Sequence, residues 1–179
     1  MSQATPLPKV VISTPLGDMT IVVDVASAPV TAANFLAYVD QGLLKNASIY
    51  RIVADCNQPD TLPAKIDVLQ FGHLMQGKEY PTPLPAIVHE PTSQTGLRHR
   101  DGTLSMARFA PGTASSGFFI CVGDQPELDE GGKRQPDGQG FAAFGWVEDG
   151  LDVVRALHGK AEASDMLTQP IPLLDVKRA

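Results

Sequence analysis

Apolar and polar positions along this chain repeat with two different periods. Residues 10–14 and 19–24 are β-branched runs joined by Pro15, Leu16, Gly17 and Asp18, and Met19, Ile21 and Val23 share one face. That pattern predicts a hairpin at the N-terminus. The period then changes: Ala32, Phe35, Leu36 and Val39 recur at helical spacing, Pro29 suits a first turn and Gly42 suits an end. A helix of about three turns follows, with one apolar stripe against a sheet. Further strands are predicted over residues 48–53, 68–71, 103–106, 118–122, 142–147 and 173–177. A second helix over 149–158 carries Leu151, Val154 and Leu157 on one side and Gly159 at its end.

Eight short strands and two helices predict a mainly β protein, a closed or nearly closed barrel. Long connections rich in Pro, Gly and polar residues fall at 54–65, 76–96 and 123–140; loops of that length are often functional. No internal repeat and no charge block marks a second domain, so residues 1–179 read as a single domain.

Composition sharpens this picture. The chain has 43% hydrophobic residues, enough for a core, while 6% aromatic content with 16 Gly and 15 Pro suits loop-rich β structure. A formal charge of -6 argues against nucleic-acid partners, which need a basic face. Cys56 and Cys121 are too few for a disulfide scaffold or a thiolate metal site. The four histidines, His73, His89, His99 and His158, lack metal-ligand spacing, so neither metal nor cofactor is expected. No apolar run is long enough to cross a bilayer, and the first ten residues lack a signal-peptide pattern. A cytoplasmic, monomeric protein without membrane partners is the expectation, with a mature periplasmic chain whose signal has been removed as the open alternative.

Three places invite chemistry. Arg51 lies inside the apolar run Ile49 to Val53, where a guanidinium needs a pocket or a partner. Gln70 lies inside a second apolar run, where its amide needs partners and an arginine would serve. Phe118 and Phe119 send their rings to opposite faces of one strand. A serine hydrolase has little support, because Ser115 and Ser116 lack a Gly-x-Ser-x-Gly elbow. Residues 124–137 lack the ligand spacing of a calcium loop, and ordinary packing is the default reading of Trp146.

The stretch 101–120, DGTLSMARFAPGTASSGFFI, resembles the strand-loop-strand signature of the cyclophilin family of peptidyl-prolyl isomerases. Gly102, Thr103, Met106 and Ala107 match its first half; Pro111, Thr113, Ser116, Phe118, Phe119 and Ile120 match its second. Residues 49–53 resemble the family's Phe-His-Arg-Val-Ile strand, with Ile49 and Tyr50 replacing Phe and His, and residues 68–72 resemble its Met-Ile-Gln-Gly-Gly strand. The resemblance spans residues 10–176. It implies an eight-stranded antiparallel barrel capped by two helices, with Arg51 and Gln70 as catalytic residues. Val68, Ala107, Arg108, Phe119, Leu128 and Phe141 would bind the substrate, with Arg108 acting through its main chain. The implied partners are proline-containing peptides and unfolded or folding proteins.

Four positions depart from the family pattern. Gly117 stands where a glutamine is usual, Asp67 where a pocket phenylalanine is expected, and Arg108 replaces a common asparagine. Glu127 takes the approximate place of a tryptophan associated with cyclosporin contact, so weak binding of that drug is expected. Arg51 and Gln70 favour an active isomerase; Asp67 and Gly117 favour a proline-peptide binding or chaperone-like module with little turnover.

Overall fold

The computed structural model describes residues 4–73 and 81–179. The N-terminal hairpin consists of β1 (Lys9–Thr14) and β2 (Gly17–Val23), followed by α1 (Pro29–Asp40). Then come β3 (Ser48–Val53), β4 (Val68–Gly72), the short helix α2 (Thr92–Thr95), β5 (Thr103–Met106) and β6 (Gly117–Cys121). The chain closes with β7 (Ala143–Asp149), α3 (Leu151–His158), β8 (Met166–Pro172) and β9 (Asp175–Arg178). All strand pairs are antiparallel, in the order β8-β3-β4-β6-β5-β7-β2-β1-β9.

Two sequence expectations need correction. Among the described residues the sheet has nine strands and curls into a half-barrel rather than a closed eight-stranded barrel, and it is accompanied by three α-helices rather than two. Both edges explain why it stays open. Within β8, Pro170 and Pro172 have no N–H to give to a further strand, and β9 ends the sheet with Asp175, Lys177 and Arg178. The missed strand was β8, since only Leu167 of MLTQPIP is buried and no alternation survives. The missed helix α2 is a single turn ended by Gly96. Of the long connection expected over 76–96, residues 76–80 lie outside the described residues.

The main core fills the space between the sheet and α1. Phe118 packs against Phe35, Tyr38, Phe71 and Phe144, with ring centroids 5.2, 5.7, 5.6 and 6.3 Å away. Each such ring removes a large apolar area from water and contributes roughly 1.5–3 kcal/mol. The start of α1 is capped from a distance: the buried carboxylate of Glu90 accepts hydrogen bonds from the main-chain N–H of Thr31 at 2.7 Å and of Val30 at 3.4 Å. These donors have no partner within the helix, and an anion there suits its dipole. A second, smaller apolar cluster lies on the other face of β4 and β6: Val53, Ile66, Val68, Ala107, Phe119, Cys121 and Leu128, with Phe141 against it. Among the described residues, no helix is long and apolar enough to cross a membrane.

Candidate active site

The smaller cluster floors a cavity of about 170 Å³, lined by Arg51, Ile66, Val68, Gln70, Ala107, Arg108, Phe119, Leu128, Arg134, Gln135 and Phe141. All eight site residues named from the sequence are in that lining. Strand alternation brings most of them there. On β6, Phe118 and Ile120 enter the main core while Phe119 and Cys121 face the cavity side; on β4, Leu69 and Phe71 do the first while Val68 and Gln70 do the second. Burial raises the thiol pKa of Cys121 well above its ordinary value, so it stays a neutral thiol packed within the smaller cluster.

Arg51 reaches the cavity by an irregularity. In the β3–β4 ladder Ile49 opposes Phe71 and Arg51 opposes Gln70, so Tyr50 is an extra residue, a β-bulge. In a regular strand Ile49 and Arg51 would share a face; the bulge leaves Ile49 in the main core and turns Arg51 toward the cavity. Both bulge residues then hold Gln70. Nη1 of Arg51 donates to its Oε1 at 2.9 Å, and its Nε2 donates to the Tyr50 hydroxyl at 2.8 Å. Gln70 is 2% exposed, and these bonds satisfy both ends of its amide.

A second partner of Arg51 had no sequence signal. Its Nε donates to Oδ2 of Asp165 at 2.7 Å. Asp165 stands just ahead of β8, and its carbonyl accepts the main-chain N–H of Ile52 at 2.8 Å. The strand hidden from the hydrophobic pattern therefore delivers the counter-ion.

The side chain of Arg108 has a use of its own, beside the main-chain role expected from the sequence. Its side chain is 1% exposed and donates to both carboxylate oxygens of Asp137, at 2.9 and 3.1 Å, and to the carbonyl of Gly140 at 3.0 Å. The guanidinium also lies 5.1 Å from the Phe141 ring centroid. These bonds hold the Asp137 carboxyl below its ordinary pKa. Arg108 thus fastens the 129–140 loop and steadies one wall of the cavity. That loop also sits tightly on its own base: a Cβ at Gly140, where φ is 63°, would come 2.5 Å from the Asp129 backbone, and one at Gly132 would come 2.3 Å from the Glu127 carbonyl.

Behind Phe119 lies a polar brace. The His99 ring stacks on Phe119 at 6.0 Å, its Nδ1 is 2.7 Å from Oδ1 of Asp129 and its Nε2 is 2.8 Å from the Ser105 hydroxyl. Burial pushes the Asp129 pKa up, but the hydrogen bonds from the His99 side chain and main chain outweigh that and leave it lowered.

Two departures resolve in the geometry. Asp67 points away from the cavity, 3.5 Å from the His158 ring nitrogen, and Ile66 supplies the apolar wall in its place. Ile66 lies two residues ahead of β4, in step with the alternation of Val68 and Gln70, which is the signal that could have found it. Glu127 lies outside the lining and accepts the main-chain N–H of Lys133 at 2.8 Å. Arg134 and Gln135 had no such signal, since a loop has no period. Trp146 is 37% exposed and lies outside this cavity. Among the described residues, no group of three or more His, Cys, Asp or Glu could hold a metal ion.

Comparison with known proteins bears on the family and the fold. The family model for cyclophilin type peptidyl-prolyl cis-trans isomerase/CLD matches residues 9–178. Peptidyl-prolyl cis-trans isomerase cyp18 of Streptomyces antibioticus is 32% identical over 166 residues, covering 92% of each chain. Peptidyl-prolyl cis-trans isomerase B of Escherichia coli K12 is 32% identical over 161 residues, covering 89% of this chain and 90% of its own. Among solved structures, a cyclophilin type isomerase of Cryptosporidium parvum superposes with a TM-score of 0.75 at 23% identity, over 97% of this chain and 98% of its own. The same protein in the presence of the dipeptide Ala-Pro gives a TM-score of 0.73 over 96% of this chain and 98% of its own. With the family matched over residues 9–178 and relatives alike over nearly their full length, the chain belongs to the cyclophilin-type peptidyl-prolyl cis-trans isomerases.

Proposed function

We propose that Arg51 is the electrostatic catalyst by which this isomerase accelerates rotation about X-Pro bonds in peptides and folding proteins. The observation that carries the reading is its placement: a guanidinium fixed by Asp165 and Gln70 at the wall of a cavity floored by Phe119 and Leu128.

Rotation about an X-Pro amide breaks no covalent bond but loses amide resonance, a barrier of roughly 18–20 kcal/mol. It therefore needs no nucleophile. As the bond twists, the prolyl nitrogen pyramidalises and gains a lone pair. A donor aimed there is worth more in the transition state than in the planar ground state. Nε and Nη1 of Arg51 are held by Asp165 and Gln70, which sets the guanidinium plane and leaves Nη2 for the substrate. Val68, Phe119, Leu128 and Phe141 form the socket for the ring, and the main chain at Ala107 and Arg108 holds the peptide extended. Cyclosporin should bind weakly, because Glu127 is engaged with its own loop.

The test is an isomerisation assay on wild type and Arg51→Ala. A charged hydrogen bond realised only in the transition state predicts a fall in kcat/KM of about a hundredfold, each decade being about 1.4 kcal/mol. Equal, near-background rates would overturn the catalytic reading, and peptide binding without turnover would assign the groove to a binding module instead.

A further inference from the structure

Arg134 lines the cavity but has no part in the reaction just described. It is carried by the loop that Arg108 fastens, and its own main-chain N–H donates to the Glu127 carbonyl at 3.2 Å. Its Nη1 donates to Oε1 of Gln58 at 2.8 Å and to the Ala64 carbonyl at 2.9 Å. Those partners position the guanidinium without neutralising it. Arg51 has Asp165 and Arg108 has Asp137 as ion pairs. Among the described residues, no carboxylate lies within ion-pairing distance of Arg134.

The cavity wall therefore has one more cation than its carboxylates balance, in a chain whose formal net charge is -6. Half-burial and the nearby charge of Arg51 both work against the charged form of Arg134, and Asp165 offsets them only from a distance. A proline ring makes no use of such a charge. An anionic side chain would relieve it, and the local field would draw in a peptide that the acidic surface otherwise repels.

We infer that Arg134 is a specificity-determining residue that selects X-Pro peptides with a carboxylate side chain beside the proline. The inference rests on the isomerase reading of this pocket. Adjacency follows from size, because Arg134 and the ring socket border the same small cavity.

Exchange NMR, which needs no coupling protease, tests this on peptides carrying Glu, Gln or Lys immediately before or after proline. At one of the two positions Glu should exceed Gln by roughly three- to tenfold in kcat/KM, with Lys lowest. The preference should shrink as salt rises from about 0.05 to 0.5 M. Arg134→Gln should bring Glu and Gln within roughly twofold, whereas Arg134→Lys should retain part of the preference. Because each ratio is taken within one variant, loss of folded protein does not imitate the result. Rates independent of charge at both positions, or a preference that survives Arg134→Gln, would overturn the inference. Should no peptide be turned over, the isomerase reading fails separately, and the Glu-over-Gln ratio of binding constants, measured calorimetrically on the same variants, decides the inference.

Discussion

Phe118 and Phe119 are neighbours on β6, yet they belong to regions built on different principles. Phe118 is enclosed by four other aromatic rings and contributes only packing. Phe119 has an open cavity on one side and the His99, Asp129 and Ser105 brace behind it. A core face can rely on non-directional burial, because any well-filled arrangement of rings excludes water. A binding face has to leave space unfilled, so its wall must be held by directional hydrogen bonds.

The contrast is broken most directly by truncating each ring. Phe118→Ala should cost about 3–5 kcal/mol in chemical denaturation, because the tight surroundings cannot collapse into the void. Phe119→Ala should cost about half of that, since it already borders open space, while lowering kcat/KM more than stability explains. Equal destabilisation by the two would show that the cavity face is as densely supported as the core.

The next test concerns orientation of the charge. Asp165→Asn keeps an acceptor near Nε of Arg51 but removes the ion pair, so kcat should fall roughly tenfold with KM little changed. Asp165→Ala should fall further, and both should keep the cooperative unfolding of the wild type. An unchanged kcat would mean that Gln70 and the bulge alone aim the guanidinium.

The smallest effect concerns acid. Asp129 has a pKa lowered below the ordinary 3.8, so its contribution is complete above that value and disappears as pH falls through the folded one. Denaturation at decreasing pH should therefore show a loss of stability below about pH 4 that is reduced in Asp129→Asn. The same acid slope in both proteins would remove the brace from the account.

Much of the cavity was legible because it follows strand period. Once residues 68–71 and 118–122 are strands, the faces of Val68, Gln70 and Phe119 are fixed, and Ile66 belongs to the same series. Arg51 is the instructive exception. Alternation alone sets it beside Ile49, and the bulge at Tyr50 changes its face. Asp165 was invisible because β8 is an edge strand with little buried surface, so its formation depends on pairing with β3 rather than on its own pattern.

The sequence by itself determined the mainly β composition, the alternation that separates Phe118 from Phe119, and the motifs that identify the family. These are local properties, set by side-chain period and by residues close in sequence. Tertiary structure decided whether the sheet closed, which face Arg51 took, and which carboxylate met it. It also decided that Arg108 is neutralised by Asp137 while Arg134 faces the cavity without an ion-pairing carboxylate among the described residues. Those outcomes depend on edge pairing, on one inserted residue in a ladder and on loop backbones packed too closely for a side chain at Gly132 or Gly140. The edge pairing and the bulged ladder join segments distant along the chain, the loop contacts depend on a backbone without period, and the local pattern has no term for either.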